Sequence, residues 1–166
     1  AARCAPRAPV TAGLAACVLA AAVLVAAKGA EASAAAWIAD KERTVGQLVA
    51  DMAPRLRPGD RVQVLDTTEG GVHALLRLGV APATRFVYDF HFFHDVDHPT
   101  VRGLRAELVR ALDAAPPRLV VVFARGWPGG GLERVHAFPE LAGRLAGRYR
   151  EVVRRPAYVI HERREG

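Results

Sequence analysis

The densest set of donor side chains is the stretch Asp89-Phe90-His91-Phe92-Phe93-His94-Asp95-Val96-Asp97-His98-Pro99, with three histidines and three aspartates inside ten residues. Imidazole and carboxylate are ligands that zinc, iron and manganese accept. His91, His94, Asp95, Asp97 and His98 are therefore candidate ligands for a divalent metal. Their spacing matches no established metal motif such as a His-Glu-x-x-His helix. The competing reading has the aspartates capping the helix that Pro99 opens, with the histidines solvated or bonded to backbone. No cofactor other than such a metal is indicated.

Two further stretches carry polar groups suited to binding. Asp66-Thr67-Thr68-Glu69-Gly70-Gly71 places two glycines before a helix, where a ligand can approach backbone N–H groups and a phosphate could sit. The rival reading is an acidic turn with an ordinary helix cap. In Arg125-Gly126-Trp127-Pro128-Gly129-Gly130-Gly131, arginine and tryptophan on a glycine-rich loop suit a phosphate or the face of a sugar. They would serve equally to pin that loop to the domain. Asp66, Glu69, Gly70, Gly71, Asp89, Arg125 and Trp127 are the candidate substrate-binding residues. No nucleophile–base–orienter set, Walker motif or complete Rossmann glycine signature occurs, so no catalytic residue is assigned. His136 and His161 are isolated in the sequence and read as structural.

The elements that would position these groups follow from periodicity and turn residues. Val45, Leu48, Val49 and Met52 recur at helical spacing, and Pro54 with the turn Pro58-Gly59-Asp60 ends that helix. A strand is predicted over 61–66, a short helix over 71–78 and a second strand over 84–89. The residues between those strands suffice for the crossover helix of a parallel pair. Pro99 opens a helix at a favoured first-turn position, with Val101, Leu104, Leu108 and Leu112 on its buried face. Leu119 to Phe123 is a continuous apolar run, as in a strand covered on both faces. Pro139 starts another helix with Phe138, Leu141 and Leu145 inward. Extended stretches over 150–153 and 157–162, parted by Pro156, predict a closing antiparallel hairpin. The sum is a small three-layer α/β domain with a mostly parallel sheet and a C-terminal antiparallel hairpin. In such sheets ligands bind beyond the carboxyl ends of the strands, so the three polar loops are expected to converge on one edge.

Ahead of this domain, Ala8 to Ala27 carries no charge. As a helix it rises about 30 Å, the thickness of a bilayer's hydrocarbon core. Small residues at Ala12, Ala16 and Ala20 would let another transmembrane helix approach closely. A cleaved signal peptide is the rival, with Arg3 and Arg7 as a basic start and Ala32-Ser33-Ala34 as a cleavage site. The length of the apolar run favours a retained transmembrane helix, and both readings export the remainder. The first residue is not methionine, and a start upstream of Ala1 is expected. The resulting division is a transmembrane segment over 1–30, a connecting helical segment over 31–57 with Trp37 and Ile38 suited to the membrane interface, and an extracytoplasmic domain over 58–166.

The net charge of +6 comes almost wholly from arginine, since only Lys28 and Lys41 among the 23 basic residues are lysines. The arginines are scattered over helix faces and do not alternate with aromatic residues, so nucleic acid is not an expected partner. Cys4 and Cys17 lie outside the α/β region, which leaves that region without a disulfide framework or zinc ribbon.

The order of features resembles the C-terminal end of bacterial multi-spanning glycosyltransferases of the GT-C architecture, relatives of the dolichyl-phosphate-mannose protein mannosyltransferases and aminoarabinose transferases. The residues that carry the likeness are Pro58-Gly59-Asp60-Arg61-Val62, Arg85-Phe86-Val87-Tyr88, Pro116-Pro117-Arg118-Leu119-Val120-Val121-Val122, Phe138-Pro139-Glu140-Leu141, and the closing stretch from Tyr149 through Tyr158 to Arg163. The resemblance implies a last transmembrane helix followed by an extracytoplasmic α/β domain, in the cytoplasmic membrane. It implies a parent that moves a sugar from a polyisoprenyl-phosphate donor to a lipid, glycan or protein acceptor. The family's catalytic aspartate lies in an early outer loop absent from this chain, so none of these residues inherits it. The implied partners are the bilayer, the parent's other transmembrane helices, and the polyisoprenyl-phosphate sugar or glycan acceptor. Two alternatives stand beside this accessory domain: a membrane-anchored or exported non-catalytic binding module, and a small exported metal-dependent hydrolase using the His/Asp loop.

Overall fold

The computed structural model describes residues 8–29, 32–66, 68–126 and 129–165. The chain divides into two units, Ala1–Asp40 and Lys41–Gly166.

In the first unit, helix α1 (Ala8–Gly29) follows the uncharged run, with Pro9 in the first turn where its missing N–H has no helical partner to lose. Leu14, Val18, Leu19, Val23, Leu24 and Val25 are each between 60 and 73 % exposed. At 3.6 residues per turn they project around the whole circumference rather than along one stripe. Among the described residues no helix is long and apolar enough to cross a membrane. The described side chains of α1 run from 12 to 26, about 22 Å of rise. Trp37 and Ile38, on α2 (Ala32–Met52), are more than half exposed.

The second unit is a three-layer α/β sandwich. Its sheet has the order β1-β2-β4-β3, from β1 (Val62–Leu65), β2 (Leu119–Phe123), β3 (Tyr149–Arg154) and β4 (Tyr158–Arg163). Strand β2 is an interior strand, buried at every position, as its unbroken apolar run requires. Leu119, Val121 and Phe123 face one core, shared with Val45, Leu48 and Met52 of α2 and with Ala74 and Leu75 of α3 (Gly71–Leu78). Val120 and Val122 face the other. There Phe92 and Phe93 of α4 (Phe90–Phe93), Leu108 and Leu112 of α5 (Pro99–Ala114), and Leu141 and Leu145 of α6 (Pro139–Arg148) close the layer. The C-terminal hairpin forms as the sequence predicts, with a bulge between Glu151 and Val153.

The sheet is mixed rather than mostly parallel: β1 and β2 pair in parallel, whereas β2–β4 and β3–β4 are antiparallel. The reason lies in the strand predicted over 84–89, which does not form. The chain leading into it meets β1 at the isolated bridge Val62–Pro82, and its end meets the residue after β1 through the Asp89 N–H, which donates to the Asp66 carbonyl at 2.9 Å. Between these points the side chain of Gln63, wholly buried, replaces the ladder. Its amide donates to the carbonyls of Phe86 and Val64, both at 2.8 Å, and its oxygen accepts from the Thr84 hydroxyl at 2.7 Å. One glutamine thus satisfies two backbone carbonyls, those of Val64 and Phe86, as a strand ladder would.

Asp51 ties the end of α2 to the hairpin. Its carboxylate accepts two hydrogen bonds from Arg155, each at 2.9 Å, and one from the Tyr158 hydroxyl at 2.8 Å. The Arg155 hydrogen bonds hold Asp51 below its ordinary value of 3.8 despite partial burial, with Tyr158 adding to the effect. A carboxylate lowered on folding stabilises the fold above its unfolded value, and that contribution disappears as pH falls through the folded value. The melting-temperature gap between the native chain and Asp51→Asn is therefore expected to stay constant above about pH 5 and to shrink below it.

Candidate functional site

The three polar loops converge at the carboxyl ends of β1 and β2. Asp66 leaves β1 and turns back, and its carboxylate accepts the backbone N–H groups of Glu69 at 2.7 Å, Gly70 at 3.0 Å and Gly71 at 2.7 Å. These are the donors at the start of α3 that a ligand phosphate would have used. The protein's own carboxylate occupies them, as the helix dipole favours. Gly70 sits at φ +104°, and a Cβ on Gly71 would press on Phe123, Asp66 and Val64. The two glycines thus serve a tight turn against the core. Glu69, almost buried, forms an ion pair with Lys41 at 2.5 Å.

Asp89, hung from Asp66 by its N–H, meets a residue that sequence reasoning missed. Arg134, in the 3-10 stretch Gly131–Ala137, donates from Nη2 to Asp89 Oδ2 at 2.5 Å, with the two side chains only 4 and 1 % exposed. The guanidinium lies 5.4 Å from the Phe93 ring centroid. Its Nε and Nη1 have no hydrogen-bond partner among the described residues. Gly126 passes so close that any Cβ there would collide with the guanidinium, and Gly130 and Gly131 take positive φ. Gly126 therefore makes room for a buried ion pair, and Gly130 and Gly131 supply the turn. Arg125 is exposed at its start, and Trp127 lies outside the described residues.

The His/Asp stretch is drawn apart by its own backbone. His91 packs among Phe86, Phe90 and Phe92 at ring-centroid distances of 5.7, 5.2 and 4.3 Å, and this burial pushes its imidazole below the ordinary histidine range. His98, not an aspartate, caps α5, its Nδ1 accepting the Thr100 N–H at 3.2 Å. Asp95 takes a left-handed backbone, φ 43°, in the turn whose carbonyl accepts the His98 N–H. His94, Asp95 and Asp97 are exposed. Among the described residues no three His, Cys, Asp or Glu side chains gather where they could hold a metal ion.

The class this defines is an α/β sandwich whose polar sheet edge is filled by its own ion pairs and caps. The chain matches no protein-family model, and comparison with curated proteins and with solved structures found no significant match.

Proposed function

We propose that this chain is a non-catalytic, membrane-associated accessory module: the C-terminal part of a GT-C type glycosyltransferase that uses a polyisoprenyl-phosphate-linked sugar. The observation that carries the non-catalytic half is the state of the sheet edge. Asp66 is spent on three backbone N–H groups, Glu69 on Lys41 and Asp89 on Arg134. A general acid, base or nucleophile needs a reactive atom within reach of substrate, and these carboxylates face inward. The membrane half is supported by α1. A helix apolar on all sides is covered by lipid or by other helices, and its small residues Ala12, Ala16 and Ala20 suit the second as well as the first. The α/β unit would then stand on the extracytoplasmic side, stabilising the parent and shaping its acceptor site.

Sequencing the coding region upstream of Ala1 tests this reading. Further apolar spans in frame, with an acidic residue in the first outer loop, are the expected result. An upstream region encoding only a methionine and a few basic residues would sink the transferase and leave an anchored or exported binding module.

A further inference from the structure

A concavity lies beside the 3-10 stretch that carries Arg134. It opens between the 3-10 stretch Gly131–Ala137, α6 and the β3–β4 hairpin, encloses about 430 Å³, and is not lined by Asp66, Asp89 or Arg134. Small-molecule sites commonly occupy roughly 300–1,000 Å³. Its floor is the buried apolar surface of Val122, Val135, Leu145 and Val159. Above the floor stand Glu133 and His136 from the 3-10 stretch, and Glu151, Arg154 and His161 from the hairpin. The two histidines, isolated in the sequence, thus line one groove.

The groove carries charge of both signs, two glutamates and three arginines, most of them tied to neighbours. Glu151 accepts two hydrogen bonds from Arg154, at 2.8 and 2.5 Å, and sits opposite His161 in the strand register. Glu133 lies 3.1 Å from His136. Arg150 is tied to Glu162, and Arg164 to the Tyr149 carbonyl. An anion entering here would face the two glutamates, and a cation would face the arginines. What remains on offer is a set of planar groups with spare hydrogen-bonding capacity: carboxylate lone pairs, guanidinium N–H groups and the imidazole of His161. Burial lowers the His161 pKa, and the neutral ring has one donor and one acceptor. Planar polar groups with both functions above an apolar floor suit a neutral ligand whose hydroxyls donate and accept and whose C–H face is apolar.

We propose that this groove binds a neutral sugar unit, with its C–H face on Leu145 and Val159 and its hydroxyls on Glu151, Arg154 and His161. That the sugar belongs to the glycan acceptor rests on the function proposed above; the binding itself does not. The test uses the full chain in a zwitterionic, sugar-free detergent, with saturation-transfer NMR and calorimetry against free hexoses, N-acetylhexosamines and their disaccharides. At least one is expected to bind with a millimolar or tighter dissociation constant. Arg154→Met is expected to weaken it about tenfold through lost hydrogen bonds. Ala146→Trp, at an exposed site on the rim, is expected to abolish binding by filling the groove while leaving the melting temperature unchanged. Absence of binding by every sugar, binding undiminished in Ala146→Trp, or inorganic phosphate binding in place of sugar would each overturn the proposal. Sugar binding without upstream spans would sink the transferase reading alone, and upstream spans without sugar binding would sink the groove alone.

Discussion

Replacing Asp89 by leucine is expected to lower the unfolding free energy by about 3–5 kcal/mol, the cost of leaving one member of a buried ion pair without its partner. Arg134 is 4 % exposed at its side chain, so water cannot take over from the lost carboxylate. The guanidinium already has two nitrogens without hydrogen-bond partners, and removing Asp89 strips the partner from its remaining one. In a chain of this size such a loss lowers the melting temperature by about 10 °C. The double variant Asp89→Leu/Arg134→Met is expected to recover most of it, because an apolar pair is often as stable as the ion pair it replaces. Thermal and denaturant melts of the two variants measure both effects. A functional carboxylate held in strain would respond in the opposite sense, since removing it tends to leave stability unchanged or raised. A neutral Asp89→Leu would therefore return Asp89 to the list of working residues.

The second large effect is expected in α1. Val18 is 64 % exposed in the middle of the uncharged run. An arginine at the centre of an inserted helix costs about 2.5–3.5 kcal/mol on the translocon scale. Val18→Arg is then expected to reduce membrane partitioning roughly a hundredfold, by the conversion of free energy to equilibrium constant. Flotation with vesicles made from bacterial lipid reads this directly. A helix that met only water would accept the arginine without consequence, so equal flotation of variant and native chain would contradict a lipid-facing α1.

Much of the fold was legible because single segments dictate it. Leu119 to Phe123 offers no polar face and forms an interior strand. Pro99 and Pro139 open helices where φ is already fixed, and Gly71–Leu78 is bounded by Gly70 and Gly79, both at positive φ. The misreadings arise where one side chain depends on a distant one. Gln63 has the look of a solvent-facing position between Val62 and Val64, yet it is buried against Thr84 and Phe86 and takes the place of a strand ladder. Arg134 resembles the scattered surface arginines until folding brings Asp89 to it across 45 residues. Local pattern carries no signal for either, because burial of a polar group is decided by its partner. The His/Asp stretch shows the converse. Donors crowded in sequence point apart once Phe92 and Phe93 enter the core and His98 caps α5, whereas His136 and His161, far apart in sequence, line one groove.

Cysteine labelling in intact cells tests most directly the proposal that the chain is held in the membrane with its α/β unit outside the cytoplasm. The α/β unit contains no cysteine, so Gly143→Cys in a Cys4→Ser/Cys17→Ser background gives a single reporter, placed on α6 where an added side chain meets no neighbour within 4 Å. Labelling by a membrane-impermeant maleimide before lysis, on a chain that stays with the membrane through alkaline carbonate, is the predicted result. Labelling only after lysis, or release of the chain by carbonate, would contradict the account.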